Sequence, residues 1–192
     1  LMRVLIIGSG GREDALARAL AASDSVTDVF AAPGNPGTAS VGTNAAIAAT
    51  DTAGLLQFVR QQSIALTVVG PEQPLVQGVV DAFEQAGQPI VGPTAAAARL
   101  EGSKAFAKDF MQRHDIPTAA FRTFGADDYD AAAAYLDEVG APVVVKASGL
   151  AGGKGAIVCD TTAEAHDALT RIVQDRDFGA AGDRVVIEEF ME

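Results

Sequence analysis

The 192-residue chain is long enough for one large domain or two small ones, and 48% hydrophobic residues supply a core for either. Its formal net charge of −11 argues against a nucleic-acid surface, which needs clustered Lys and Arg to neutralise backbone phosphates. The single cysteine, Cys159, excludes an internal disulfide framework and a Cys-rich zinc site, and fits a reducing, cytoplasmic setting.

Leu1 precedes Met2, where a natural start makes sense, and is read as a cloning remnant. The apolar run at 4–7 is closed at once by Gly8, far too short for a signal peptide or a membrane span, so it is expected to be a buried strand. Short β-branched runs at 4–7, 28–31, 66–69 and 89–91 alternate with amphipathic stretches at 13–22, 52–62 and 75–86. This rhythm predicts parallel strands covered on both faces by crossover helices, over residues 2–92.

Gly92-Pro93-Thr94 breaks the rhythm, and 93–115 is expected to be a helical linker, its second helix opening on Ser103 as N-cap. From 116 to 192 the expected order is strand 119–124, helix 128–139, strand 142–146, glycine loop 147–155, strand 156–159, helix 162–174 and strand 184–189. The hairpin within that order suggests an α+β layer rather than another parallel sheet.

The first chemical feature is Gly8-Ser9-Gly10-Gly11-Arg12-Glu13, between the first strand and the first helix. A tight glycine turn at a helix N-terminus presents free backbone N–H groups and the positive end of the helix dipole to an anion. Glu13 stands where the dinucleotide fingerprint needs its third glycine, and the second strand ends in Ala31-Ala32-Pro33-Gly34-Asn35 without a carboxylate for a ribose. NAD is therefore disfavoured, while a smaller phosphorylated ligand is allowed. In an open parallel sheet two more loops fall on the same rim: Pro33-Gly34-Asn35-Pro36-Gly37-Thr38 and Gly70-Pro71-Glu72-Gln73-Pro74-Leu75. Asn35 and Glu72 could hydrogen-bond sugar hydroxyls there; ordinary βα turns are the plainer alternative.

The second feature is Lys146 at the end of an apolar strand, followed by Ala147-Ser148-Gly149-Leu150-Ala151-Gly152-Gly153-Lys154-Gly155. A lysine so placed is costly unless it is paired or faces a ligand, and a polyanion would serve. The loop is not a Walker A loop, because Ser148 takes the first glycine position, Gly155 replaces the hydroxyl, and a strand follows instead of a helix. A glycine-rich flap over the phosphates of ATP suits it better, with a ligand-free exposed hairpin as the alternative. The strand ending Ile187-Glu188-Glu189-Phe190-Met191 carries paired carboxylates that by themselves mark only a polar strand edge.

Together with Val69-Gly70-Pro71-Glu72 and Leu100-Glu101-Gly102-Ser103-Lys104, these blocks resemble, in order and spacing, the phosphoribosylamine–glycine ligase (glycinamide ribonucleotide synthetase) family of the ATP-grasp superfamily, along essentially the whole chain. The resemblance implies an α/β fold: an N-terminal Rossmann-like parallel sheet, or pre-ATP-grasp domain, followed by the first, incomplete α+β subdomain of an ATP-grasp fold. It implies an ATP-dependent ligase of purine biosynthesis that joins glycine to 5-phosphoribosylamine, cytoplasmic, monomeric when complete, with no nucleic-acid or membrane partner. Carried over position by position, Lys104, Lys146 and Lys154, with Gly149, Gly152, Gly153 and Gly155 of the flap, would hold ATP phosphates. Glu188, Glu189, Phe190 and Met191 would hold adenine. Gly8, Gly10, Gly11, Arg12, Asn35, Gly37, Glu72 and Pro74 would hold phosphoribosylamine.

The resemblance also implies Mg2+ (or Mn2+), with ligands expected beyond Glu192, so that no catalytic or metal residue is assigned here and the 192 residues alone are expected to lack ligase activity. Three positions depart from the family pattern: Asp14 stands where His is usual, Ser148 where Asp is frequent and Gly152 where Ala is frequent. Asp14 suits a helix N-terminal turn but would repel a nearby phosphate. A stand-alone sugar-phosphate or nucleotide binding module is the alternative from another class. Another ATP-grasp ligase, such as a carboxylase of purine or biotin metabolism, is disfavoured by the two rim loops and the Gly-Gly-Arg-Glu block.

Overall fold

The computed structural model describes residues 1–191 and divides into two compact units, Leu1–Ala98 and Arg99–Glu192. In the first unit β1 (Met2–Gly8), β2 (Val26–Pro33), β3 (Thr43–Asn44), β4 (Leu66–Val69) and β5 (Ile90–Val91) form one sheet in the order β3-β2-β1-β4-β5, every neighbouring pair parallel. The run at 4–7 is wholly buried because β1 is central and covered on both faces. Leu5 and Ile7 pack with Leu55 and Val59 of α3 (Thr52–Gln61) and Phe83 of α5 (Val79–Gln85), while Ile6 packs with Ala17 of α1 (Gly11–Ala21) and with Val29.

The expected helix 75–86 is two helices, α4 (Glu72–Val76) and α5, because Gly78 takes φ 86° and turns the chain between them. Pattern reading also passed over α2 (Pro36–Ala39) and the two-residue β3, both too short to show a period.

The second unit holds an antiparallel sheet in the order β6-β9-β7-β8, from β6 (Phe121–Gly125), β7 (Val143–Ala147), β8 (Ala156–Cys159) and β9 (Arg184–Glu189). On one face Phe124, Val145, Val185 and Ile187 form a core with Leu136 of α8 (Tyr129–Val139) and Leu169 and Ile172 of α9 (Thr162–Val173). Side chains alternate along each strand, so Val144, Lys146, Val158, Val186, Glu188 and Phe121 share the opposite face.

Residues 93–115, expected as a linker, are apportioned between the units. The division falls inside α6 (Ala95–Gly102), and α7 (Lys104–Arg113) belongs to the second unit, where it packs on β9. Ser103 caps α7 as expected, accepting from the Phe106 N–H at 3.3 Å. The tie that fixes α7 is Ser148: its Oγ accepts from the Ala105 N–H at 3.1 Å and its carbonyl from the Lys104 N–H at 2.7 Å.

Leu136 is fully buried in the core of the second unit. Leu136→Ala is expected to destabilise that unit by about 2–5 kcal/mol, read as a lower midpoint in urea unfolding.

Candidate functional site

In the first unit the glycine turn, the loop after β2 and the loop after β4 all lie at the carboxyl ends of their strands, as the rim expectation required. The sheet order reverses between β1 and β4, which places the turns following those two strands at the switch point where open α/β sheets bind ligands. The turn after β1 is nevertheless not an empty cradle. Glu13, 4% exposed, folds its carboxylate back to accept from the Gly10 N–H, and a methyl group on Gly70 would overlap its Oε1. The protein's own carboxylate thus occupies the place a bound anion would take on the Gly10 amide. That signal was present in the sequence as a Glu three residues after the helix cap.

What remains open to an anion is the start of α1. The first intrahelical bond is that from the Asp14 N–H to the Gly10 carbonyl, at 3.2 Å, so the N–H groups of Gly11, Arg12 and Glu13 precede the helical ladder. The Arg12 guanidinium donates to the Gly70 carbonyl and ties α1 to the β4 loop. Asn35 is spent on structure: its Nδ2 donates to the Ser9 and Gly10 carbonyls, both at 3.0 Å, and its Oδ1 accepts from the Thr38 N–H at 3.0 Å as the cap of α2. Pro74 is buried in α4, Glu72 begins that helix half-buried, and Gly8 is buried at the end of β1. Gly37 lies where a side chain would overlap Asp14. Asp14 pairs through Oδ2 with Arg18 Nε at 3.1 Å, while its Oδ1 is buried without a hydrogen-bond partner.

In the second unit the face of the sheet opposite the core gathers cations. Glu188, 4% exposed, is an ion-pair partner of both Lys108 and Lys146, through Oε2 and Oε1. Both are charge contacts, and Lys108 is the more firmly held of the two ammonium groups because it also donates to Thr118 Oγ1 at 2.7 Å and to the Ala119 carbonyl at 3.3 Å. Lys146 is therefore paired within the chain, and its position on a buried strand does not by itself require a ligand. Lys104 Nζ donates to the Gly149 carbonyl at 3.1 Å. Burial, and then the Lys146 ammonium, hold the Lys104 pKa below the ordinary lysine value, against the opposing pull of Glu101 and Glu188.

The flap is anchored at its base by the Ala147 N–H to the Gly155 carbonyl (2.8 Å) and by the Gly149 N–H to the Ala181 carbonyl (3.0 Å). Its tip carries Gly152 and Gly153 at φ 57° and 79°, with Lys154 exposed beside them and Gly155 buried behind. The structure thus brings Lys104, Lys146 and Glu188 together but leaves Lys154 on the exposed turn. Glu189 is committed elsewhere: its Oε1 accepts from the Ala120 N–H at 3.0 Å and holds the start of β6. Phe190 and Met191 are exposed just past β9.

Sequence reading missed Lys108, which sits one turn after Lys104 on α7 and is 8% exposed. Its signal was the i, i+4 spacing of the two lysines, which puts both ammonium groups on one helix face. Among the described residues no group of three or more His, Cys, Asp or Glu side chains converges as a metal site, and no helix is long and apolar enough to cross a membrane.

Residues 2–101 match the profile of the phosphoribosylglycinamide synthetase N domain, and residues 102–192 that of its ATP-grasp (A) domain. The chain belongs to the phosphoribosylglycinamide synthetase family. It is 59% identical over 192 residues to the phosphoribosylamine–glycine ligase of Allochromatium vinosum and 55% identical over 193 residues to that of Escherichia coli O157:H7. It spans 44% of the length of each of these relatives. The crystal structure of the Thermotoga maritima phosphoribosylamine–glycine ligase superposes with a TM-score of 0.79 at 30% identity, over 99% of this chain and 44% of that one. The D-alanine–D-alanine ligase of Bacillus anthracis, at a TM-score of 0.70 and 16% identity, covers all of this chain and 58% of its own, and shares the fold alone.

The depressed pKa of Lys104 gives its stability effect a sign. A lysine whose folded value lies below its unfolded value costs stability when protonated, so the cost is fully present at neutral pH and fades as pH rises toward the ordinary lysine range. Lys104→Met is expected to flatten that alkaline rise relative to the parent chain, measured by urea unfolding at about pH 7 and about pH 10.

Proposed function

We propose that the second unit holds the phosphates of ATP with Lys104 and Lys146, and that the chain is part of a ligase joining glycine to 5-phosphoribosylamine to give glycinamide ribonucleotide, ADP and phosphate. One observation carries this reading. Three ammonium groups, Lys104, Lys108 and Lys146, gather about one buried carboxylate, Glu188, so a chain of net charge −11 keeps a local positive surplus on one face of one sheet. Such a surplus is stabilised by a polyanion.

In this reaction the glycine carboxylate attacks the γ-phosphorus, ADP leaves, and the amine of phosphoribosylamine attacks the glycyl carbonyl with release of phosphate. Fixed ammonium groups stabilise charge on the transferred phosphoryl group, and the chain's share of that work is positioning and electrostatics. The bound metal of the complete enzyme would add further neutralisation of the phosphates. Lys154, on the flap tip, would reach the phosphates only by movement of the flap.

Adenine falls to the backbone beyond β9, at Phe190 and Met191, rather than to the Glu188 carboxylate, which its lysines already hold. Val144 and Val158, on the same sheet face as Lys146 and joined across β7 and β8, offer an apolar floor beside it. In the first unit the phosphate of phosphoribosylamine would sit on the Gly11 and Arg12 amides at the start of α1, with Glu72 near the sugar. Asn35 acts there through the loop it braces.

Thermal unfolding of the chain with ATP and, separately, with ribose 5-phosphate tests this. A ligand at 100 times its dissociation constant stabilises by about 2.7 kcal/mol. The double variant Lys104→Met/Lys146→Met is expected to lose the ATP shift and keep the sugar-phosphate shift. An ATP shift that survives the double variant contradicts the assignment.

A further inference from the structure

Lys108 adds its charge to the cluster but is assigned no ligand contact above, yet it is the most deeply placed cation of the second unit. It is 8% exposed and donates to Thr118 Oγ1 at 2.7 Å and to the Ala119 carbonyl at 3.3 Å. It pairs with Glu188 Oε2, and its ammonium lies 5.4 Å from the Phe121 ring centroid. All of these partners come from the residues leading into β6, from β6 itself or from β9, so Lys108 is locked from several sides. Lys146 has no such lock: its side chain is 27% exposed, and among the described residues its polar partner is Glu188 Oε1, with no counterpart of the Thr118 and Ala119 bonds that hold Lys108.

A buried carboxylate shared by two ammonium groups poses a problem when a ligand arrives. If Lys146 turned to a phosphate and Glu188 had no other partner, Glu188 would be left as an unpaired buried charge, and that cost would oppose binding. With Lys108 fixed on the other carboxylate oxygen, Lys146 can leave and Glu188 stays paired.

We propose that Lys108 is a positioning residue that retains the Glu188 carboxylate, so that Lys146 is free to transfer from Glu188 to the phosphates of the nucleotide. Lys108 itself touches no ligand; it acts through Glu188. The inference rests on the proposed nucleotide site and adds to it the exchange of Lys146 between an internal and an external anion. It also separates the two lysines of α7: Lys104 meets the ligand, and Lys108, one turn later, supports the residue behind it.

The test uses the 192-residue chain with two probes, inorganic tripolyphosphate for the phosphate subsite and adenosine for the base, each titrated by chemical-shift perturbation. Lys108→Met is expected to weaken tripolyphosphate about tenfold, because Lys146 is then the sole partner of Glu188 and stays with it, and to leave adenosine unchanged. Adding Glu188→Gln to Lys108→Met removes the charge that retains Lys146 and is expected to restore tripolyphosphate affinity. A merely structural role for Lys108 would weaken both probes together and would not be rescued in this probe-selective way.

Should Lys108→Met not fold, Glu188→Gln alone decides. Tripolyphosphate affinity equal to or above that of the parent supports the exchange, and a fall of more than about threefold overturns it. Equal tripolyphosphate affinity in the parent and in a folded Lys108→Met overturns this inference and leaves the nucleotide site standing. No tripolyphosphate binding by the parent overturns both.

Discussion

A carboxylate removed from water stays charged only where cations or hydrogen bonds replace the solvent, and the second unit is organised around one such group. Glu188 lies on β9 with Lys146 on the neighbouring β7 and Lys108 above it on α7. Its charge gives α7 an electrostatic anchor on the sheet, places two ammonium groups on the face opposite the core, and brings Lys104 close enough to feel both Lys146 and Glu188. Ser148 completes the arrangement from the flap side by capping the start of α7 through its hydroxyl and its carbonyl. The flap, the helix and the strand are thus joined through polar groups, alongside the burial of Ala105, Ala107 and Val186.

The first unit uses a buried carboxylate in the opposite sense. Glu13 sits in the glycine turn after β1, accepts from the Gly10 N–H and fills space beside Gly70 that a side chain would need. It fixes the turn and leaves the Gly11 and Arg12 amides at the start of α1 as the donors still available there. Arg12 and Asn35 then stitch the turn to the loops after β4 and β2. These two side chains hold the rim in shape through backbone carbonyls.

Much of the fold was legible because it rests on periodicity. The buried run of β1, the serine cap of α7 and the hairpin enclosing the flap all follow from local pattern and chemistry. The break at Gly78 was legible in principle, but the apolar period continues across it and masked the change of direction. Side-chain partners were less accessible. That Lys146 is a strand-end lysine suited to a polyanion was readable from its place after three valines; that Glu188 already pairs with it was not, because their pairing depends on the register of β7 against β9. Lys108 escaped for the same reason, since its partners on and beside β6 and on β9 lie 10 to 80 positions away in sequence. Family resemblance identified the blocks, whereas the division of labour within them required the geometry.

The polyanion site proposed for the second unit is tested most directly by following the lysine side-chain ammonium and Cε resonances of the chain during titration with ATP. Lys104 and Lys146 are expected to shift together as the nucleotide binds, with Lys108 unmoved on Glu188. Saturable ATP binding that leaves Lys104 and Lys146 unperturbed would contradict the assignment of the phosphates to this sheet face.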